Sequence, residues 1–435
     1  MSQIASVQRL PQFRSENISF GPNAGSGMGI VLMVLGLAAA LGTFFIGNGG
    51  SGGVTAKHAL AAYHIGTMSV LAMALGGLFF TLVFHLFQAG WVATIRRQFE
   101  NVASFVPVAF LMVLPTLAIE IYTGGMLFKW LIDAKVGDYL LEKKAFFFFF
   151  SAPLAEGKVP FPSFFVLRAV IYGVVWFYLS RKMVAYGRAQ DEAGARGDVT
   201  PFSQARFTAA WGILLFALTT AFAAFDWLMS LDYKFFSTMW GVYYFAGAAF
   251  SGSALMAVIL SVLRSRGKLE GAVTKEHFHD LGKLMFSFTV FWAYISFSQY
   301  FLIWYSNIPE ETAFYKFRTD HWGNLGIALM IGHFVAPFLI LMFRGVKRNF
   351  QLLVLVALFM IVIHIMDIYW VVRPMVYIDP PTGPAGVFPY VVDAIGIIGP
   401  VLVLAGYLVR RIGGNVLVGT GDPYLHESIE HKNYV

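Results

Sequence analysis

The chain has 435 residues, 58% of them hydrophobic and only 13% charged, with a mean hydropathy of +0.67. A soluble domain carries about twice that charged fraction, so the composition excludes a soluble enzyme and leaves an integral membrane protein. With no cysteine in the sequence, disulfides, thiolate-ligated iron–sulfur clusters and c-type haem attachment are excluded. Any electrons handled here would travel on a haem with other ligands or on a diffusible carrier such as quinone.

The first 26 residues are polar and lack the charged-then-apolar pattern of a cleaved signal peptide. They are expected to remain as a cytoplasmic tail ahead of an uncleaved anchor. Hydropathy then marks ten spans, roughly 27–47, 59–87, 103–122, 162–181, 209–230, 237–263, 284–304, 324–343, 350–371 and 389–410. The expected fold is an all-α membrane domain over 27–410 with a second polar tail at 411–435. An even number of spans puts both termini on one side. Arg96 and Arg97, Arg181 to Arg206, Arg264 to Lys283, Arg344 to Arg348, and Arg410 with Arg411 fall on that side. The net charge of +7 is thus a topology signal, and the positive-inside rule predicts cytoplasmic termini.

Two loops on the other side are long. The 123–161 segment carries an amphipathic stretch and then five consecutive phenylalanines, Phe146 to Phe150, which need cover from the interface or from a partner subunit. The 305–323 segment is aromatic and charged and reads as an ordered cap. Before it, the stretch from Met285 to Glu311 is polar on two faces: Ser287, Tyr294, Ser298 and Tyr305 on one, Thr289, Ser296, Tyr300 and Asn307 on the other. Unpaired polar groups in hydrocarbon cost kilocalories each, so this span is expected at the centre, packed on both sides. Ser and Thr bonding back to their own carbonyls is the plainer alternative. An acid beside an aromatic ends both the fifth span (Asp226, Trp227) and the ninth (Asp367 to Trp370). That suggests two duplicated four-helix bundles, about 59–230 and 237–371, with the first and tenth spans peripheral.

Ionisable groups at membrane depth are functional candidates by default. On the second span Thr67, Thr81, His85 and Gln88 share a face, with His64 to one side and an apolar gap at Leu71, Ala74 and Leu78. With Glu120, Asp226, Tyr294, Ser298 and His333, this line makes a candidate proton pathway, because histidine titrates nearest neutrality. Simple hydrogen bonding of each histidine to a carbonyl is the alternative. His364 and Asp367, one turn apart, suit either a histidine donating to a quinone carbonyl with Asp367 taking a proton, or an ion pair closed by Arg373. Histidines at matched depth in the repeated spacing of haem ligands are not found, and no metal site is expected.

FHLFQAGWVATIRRQFENV after the second span, FWAYISFSQYFLIWYSNIPEET at the seventh and HIMDIYWVVRP at the ninth resemble the NrfD-like, polysulfide-reductase membrane subunit family. Within it they resemble the second (ActF-type) membrane subunit of alternative complex III, a quinol:electron-acceptor oxidoreductase. The resemblance implies a bacterial inner membrane, ten helices in two bundles, and no cofactor held by this chain. It also implies a homologous membrane subunit, an iron–sulfur subunit and cytochrome c subunits as partners, with menaquinone or ubiquinone as substrate. An outward-facing quinone pocket would fall near His64, Glu120, Asp226, His364, Asp367 and Arg373. A stand-alone secondary transporter and a purely structural anchor are the competing readings.

Overall fold

The computed structural model describes residues 14–21, 23–50, 54–135, 137–150, 160–378 and 386–433. Ten helical segments are long and apolar enough to cross a membrane, and no strand forms among the described residues. They are α1 (Ser26–Asn48), α2 (Ala56–Leu86), α3 (Val106–Thr123), α4 (Ser163–Gly194) and α5 (Thr200–Trp227). After them come α6 (Trp240–Ser265), α7 (Lys275–Ser306) and α8, which runs from Pro309 to Leu329 and continues through a π-helical turn, Met330–Val335, to Met342. The last two are α9 (Phe350–Val372) and α10 (Phe388–Gly413). Each matches one expected span. The backbone of an all-helical chain satisfies its own polar groups, which is what hydrocarbon demands.

Local chemistry sets the helix ends. Thr55, Thr274 and Asn349 cap α2, α7 and α9 by accepting from backbone N–H groups of the first turn. Gly124 and Asn307 leave α3 and α7 in the left-handed conformation that ends a helix. Several helices overrun their apolar stretches on the side that carries both termini, here the terminal face. There their polar ends bind one another: Arg97 pairs with Asp191 of α4, and His277 of α7 meets Ser428 of the C-terminal segment at 3.1 Å.

The centre is not where the polar faces of the seventh span suggested. In the most apolar stretches of α2 and α6, 89% of residues are buried, against 28% in α7. Tyr294 is 65% exposed and Tyr305 is 76% exposed, while Ser287 and Ser298 donate to Lys283 and Tyr294 carbonyls of their own helix. The plainer alternative therefore holds for those hydroxyls. In this chain α7 is packed on one side only. The two core helices are α2 and α6, and small residues bring them together. A Cβ added to Gly76 would sit 2.1 Å from the Ala248 carbonyl oxygen, so backbone packs directly on backbone. Around α2 gather α3, α4 and α5; α7 and α9 lie against α6, and α8 packs on α7 and α9. Outside them α1 pairs with α10, again through glycine: a Cβ on Gly36 would lie 2.5 Å from the Gly399 carbonyl.

On the opposite face, helices Lys129–Ala134 and Tyr139–Phe149 fold back onto the first bundle. Trp130 stacks on Phe148 at 4.2 Å, and Phe148 and Phe149 are buried. Phe147 lies over the Arg168 guanidinium. Two of the five phenylalanines are thus covered by their own chain, and Phe146, Phe147 and Phe150 stay exposed. Tyr233 donates to Asp133 at 2.8 Å here, and burial together with that carboxylate raises its phenol above the ordinary range. The 305–323 segment is helical rather than a loop. Its Phe314 stacks on Phe235 at 4.1 Å, and Arg318 donates to the Trp370 and Val371 carbonyls at the end of α9.

Candidate functional site

Two carboxylates lie buried near the ends of α5 and α9, and their partners differ. Asp226 on α5 receives both arms of a guanidinium: Arg168 Nε donates at 2.8 Å and Nη2 at 2.6 Å, and the Tyr172 hydroxyl adds a third bond at 2.6 Å. The third nitrogen of Arg168 donates to the Phe147 carbonyl at 2.7 Å. Phe147 and Phe164 rings lie against its guanidinium plane at 4.1 and 4.4 Å. This is a saturated, bidentate ion pair with a permanent cation. Glu120 on α3 is also committed. It accepts from the backbone N–H groups of Met126, Leu127 and Phe128 at 2.8–3.1 Å and so holds the chain as it leaves the helix.

Asp367 on α9 has no such cation. The Tyr243 hydroxyl of α6 and the Trp292 indole N–H of α7 (3.1 Å) donate to it. Nε2 of His333 lies 3.8 Å from its Oδ2, beyond hydrogen-bond range. His364, one turn back on α9, completes a triad whose ligating atoms all fall within 4.8 Å of one another. All four ring nitrogens of His333 and His364 are buried without a hydrogen-bond partner in the protein. Each buried polar atom left so costs about 1–3 kcal/mol. The imidazoles are nevertheless held firmly. His333 is clamped between Trp292 (3.7 Å) and Phe250 (4.1 Å). It sits in the π-helical turn of α8, where the extra residue re-aims the side chain. Gly247 makes room for the His364 ring, since a Cβ there would come within 3.1 Å of it, and the Ser69 backbone of α2 approaches from the other bundle.

The triad as it stands is wider than a tetrahedral zinc site. Tetrahedral zinc, with bonds of about 2.0–2.1 Å, requires donor atoms about 3.3 Å apart, and the His333–Asp367 pair is already 3.8 Å apart. The triad gathers two imidazoles and a carboxylate with their ligating atoms within 4.8 Å of one another.

A second polar site lies at the terminal end of the first bundle. A cavity of about 20 Å³, room for one water, is lined by His85, Arg96, Arg97, Glu100, Asp191 and Asp422. His85 Nδ1–H donates back to the Thr81 carbonyl at 2.8 Å, and its ring faces the cavity. The C-terminal segment closes the floor, with Asp422 paired to Arg96 and the Leu417 carbonyl accepting from Gln98 at 2.7 Å.

The expected line along α2 is broken up. His64 Nε2–H donates to the Trp227 carbonyl at 2.9 Å, Thr67 to its own helix at His64, and Thr81 to Gly77. Gln88 lies beyond the end of α2 with a positive φ of 52°. Tyr294 and Ser298 point outward on α7, away from either site. His333, separated from His364 and Asp367 in sequence reasoning, joins them. Arg373 does not: it pairs with Asp393 of α10 and donates to the His58 carbonyl of α2. His58 itself meets Asp393 at 3.0 Å and Tyr377 at 2.6 Å. The ion-pair alternative for His364, Asp367 and Arg373 therefore fails, and the six expected quinone-contacting residues divide among separate closed clusters. Sequence reasoning missed Tyr243, Trp292 and the Glu100–Asp191–Asp422 group. The spacing of Arg97 and Glu100, three residues apart just before a span, was the available signal for the last.

The chain matches no protein-family model and no curated protein.

Proposed function

We propose that this chain is a proton-conducting membrane subunit of a respiratory quinol oxidoreductase, with Asp367, His333 and His364 as its titrating element. The observation carrying this reading is the contrast between two related acids: Asp226 is neutralised by Arg168, whereas Asp367 is set among neutral donors and two unpartnered imidazoles. A carboxylate locked to a guanidinium has no reason to exchange its proton; one beside two imidazoles has. The His85 cavity is the corresponding polar site near the terminal face, and that face is cytoplasmic on the count of its lysines and arginines.

Quinol oxidation itself belongs to a homologous membrane subunit beside the iron–sulfur and haem groups of partner subunits. The separation of His64, Glu120 and Asp226 from His364, Asp367 and Arg373 supports that division of labour. The outward Phe146 and Phe150 offer a partner an apolar foothold.

The test uses the assembled complex in sealed vesicles, comparing quinol oxidation with protons moved per electron. Asp367→Asn and His364→Asn are expected to keep electron transfer within about twofold and to cut proton movement at least tenfold. Unchanged proton stoichiometry in both variants overturns the proposal. A reporter fused after Val435 tests orientation: activity on the outer side of the membrane refutes cytoplasmic termini.

A further inference from the structure

Where α7 ends and α8 begins, the structure holds a second, larger cavity of about 260 Å³. Its walls are Tyr300, Trp304 and Asn307 of the α7 end and Tyr315, Lys316 and Asp320 of the α8 start. The 314–318 stretch is level with the ends of α6 and α9, since Phe314 packs on Trp240 and Arg318 holds the last carbonyls of α9. The cavity therefore opens at the depth where a bilayer changes from hydrocarbon to headgroups, the depth at which Trp and Tyr concentrate. Below it an apolar stripe continues down α7, with Phe297 against Phe301 at 5.8 Å and Phe301 against Trp304 at 6.2 Å. Phe297, Phe301 and Trp304 are all exposed.

Lys316 and Asp320 stand one helical turn apart, about 6 Å along the axis, yet form no ion pair with each other or with any described residue. A base placed N-terminal to its acid is the weaker orientation for such a pair. Each charge is thus free for a ligand. Together they present a cation and an anion at a fixed separation beside aromatic walls and an amide, above an apolar stripe. Glu310 and Glu311, on the first turn of α8, disfavour a purely anionic guest.

We propose that this cavity seats the headgroup of a zwitterionic aminophospholipid, Lys316 on the phosphate and Asp320 on the ammonium, with an acyl chain along Phe297 and Phe301. This goes beyond the proton-transfer reading and is independent of it.

The full-length protein, purified in mild detergent, is loaded with phosphatidylethanolamine or phosphatidylglycerol, and retained lipid is measured by native mass spectrometry. The wild type is expected to retain phosphatidylethanolamine at least fivefold better than phosphatidylglycerol. Lys316→Gln should lower retention of both lipids, and Asp320→Asn should remove the preference by lowering phosphatidylethanolamine alone. Both positions are exposed, so folding is not at stake, and elution volume verifies it. Equal retention of the two lipids by the wild type, or a preference untouched by Asp320→Asn, overturns the proposal. So does displacement of the lipid by stoichiometric quinol, which would make the cavity a quinone seat.

Discussion

Replacing Asp226 with Asn and Asp367 with Asn should have very unequal consequences, although both remove a buried carboxylate from the end of a spanning helix. At Asp226 the acid receives two charge-assisted bonds from Arg168 and one from Tyr172. Asparagine offers one acceptor and no charge, so the Arg168 guanidinium, itself buried, keeps its cost without its counter-ion. Stranding one member of a buried pair costs about 3–5 kcal/mol. At Asp367 the donors are a phenol and an indole, and a neutral hydrogen bond is worth about 0.5–1.5 kcal/mol net. An asparagine still accepts one of them, and no cation is stranded. The loss there should be about 1 kcal/mol, or nil. Unfolding of the purified protein in mixed micelles, followed by intrinsic fluorescence over a denaturant series, separates these values. Comparable losses, or a greater loss at Asp367, would show that the acids are not differently committed, and the assignment of proton transfer to the second bundle would fail with it.

The contact between the core helices makes a second prediction. Gly76→Leu drives a side chain into the Ala248 carbonyl, where rotamer choice gives no escape, so the variant should lose about 3 kcal/mol, the upper end of the usual cost of overpacking with backbone displacement. Gly42, whose Cβ would meet nothing, should accept Leu with no measurable change in the same unfolding assay. Truncation after Gly414 removes Asp422 from Arg96 and Ser428 from His277 and Thr94. The expected result is a solvent-accessible Glu100 and faster deuterium uptake through residues 94–104. Unchanged exchange there would mean that the tail does not close the cavity.

Much of this molecule was legible without coordinates because hydrocarbon imposes a single rule on the backbone. Ten apolar runs had to become ten helices, and their loops, Arg96, Lys268 and Arg344 among them, sorted by charge. The buried ionisable groups were also identifiable one by one, since each is an expensive exception to its span. Partnership was not. Whether Asp226 meets Arg168, whether Arg373 chooses Asp367 or Asp393, and whether His333 reaches Asp367 depend on rotation and adjacency of helices far apart in the chain. Helical periodicity assigns residues to a face but says nothing of what that face meets, and for α7 it was misleading: Tyr294 and Ser298 share a polar face that the fold turns outward. The core fell instead to α2 and α6, where glycine lets two backbones touch at Gly76 and Ala248. Composition settles which residues are costly to bury; packing geometry decides which of those costs are cancelled by a partner and which are left open for a proton.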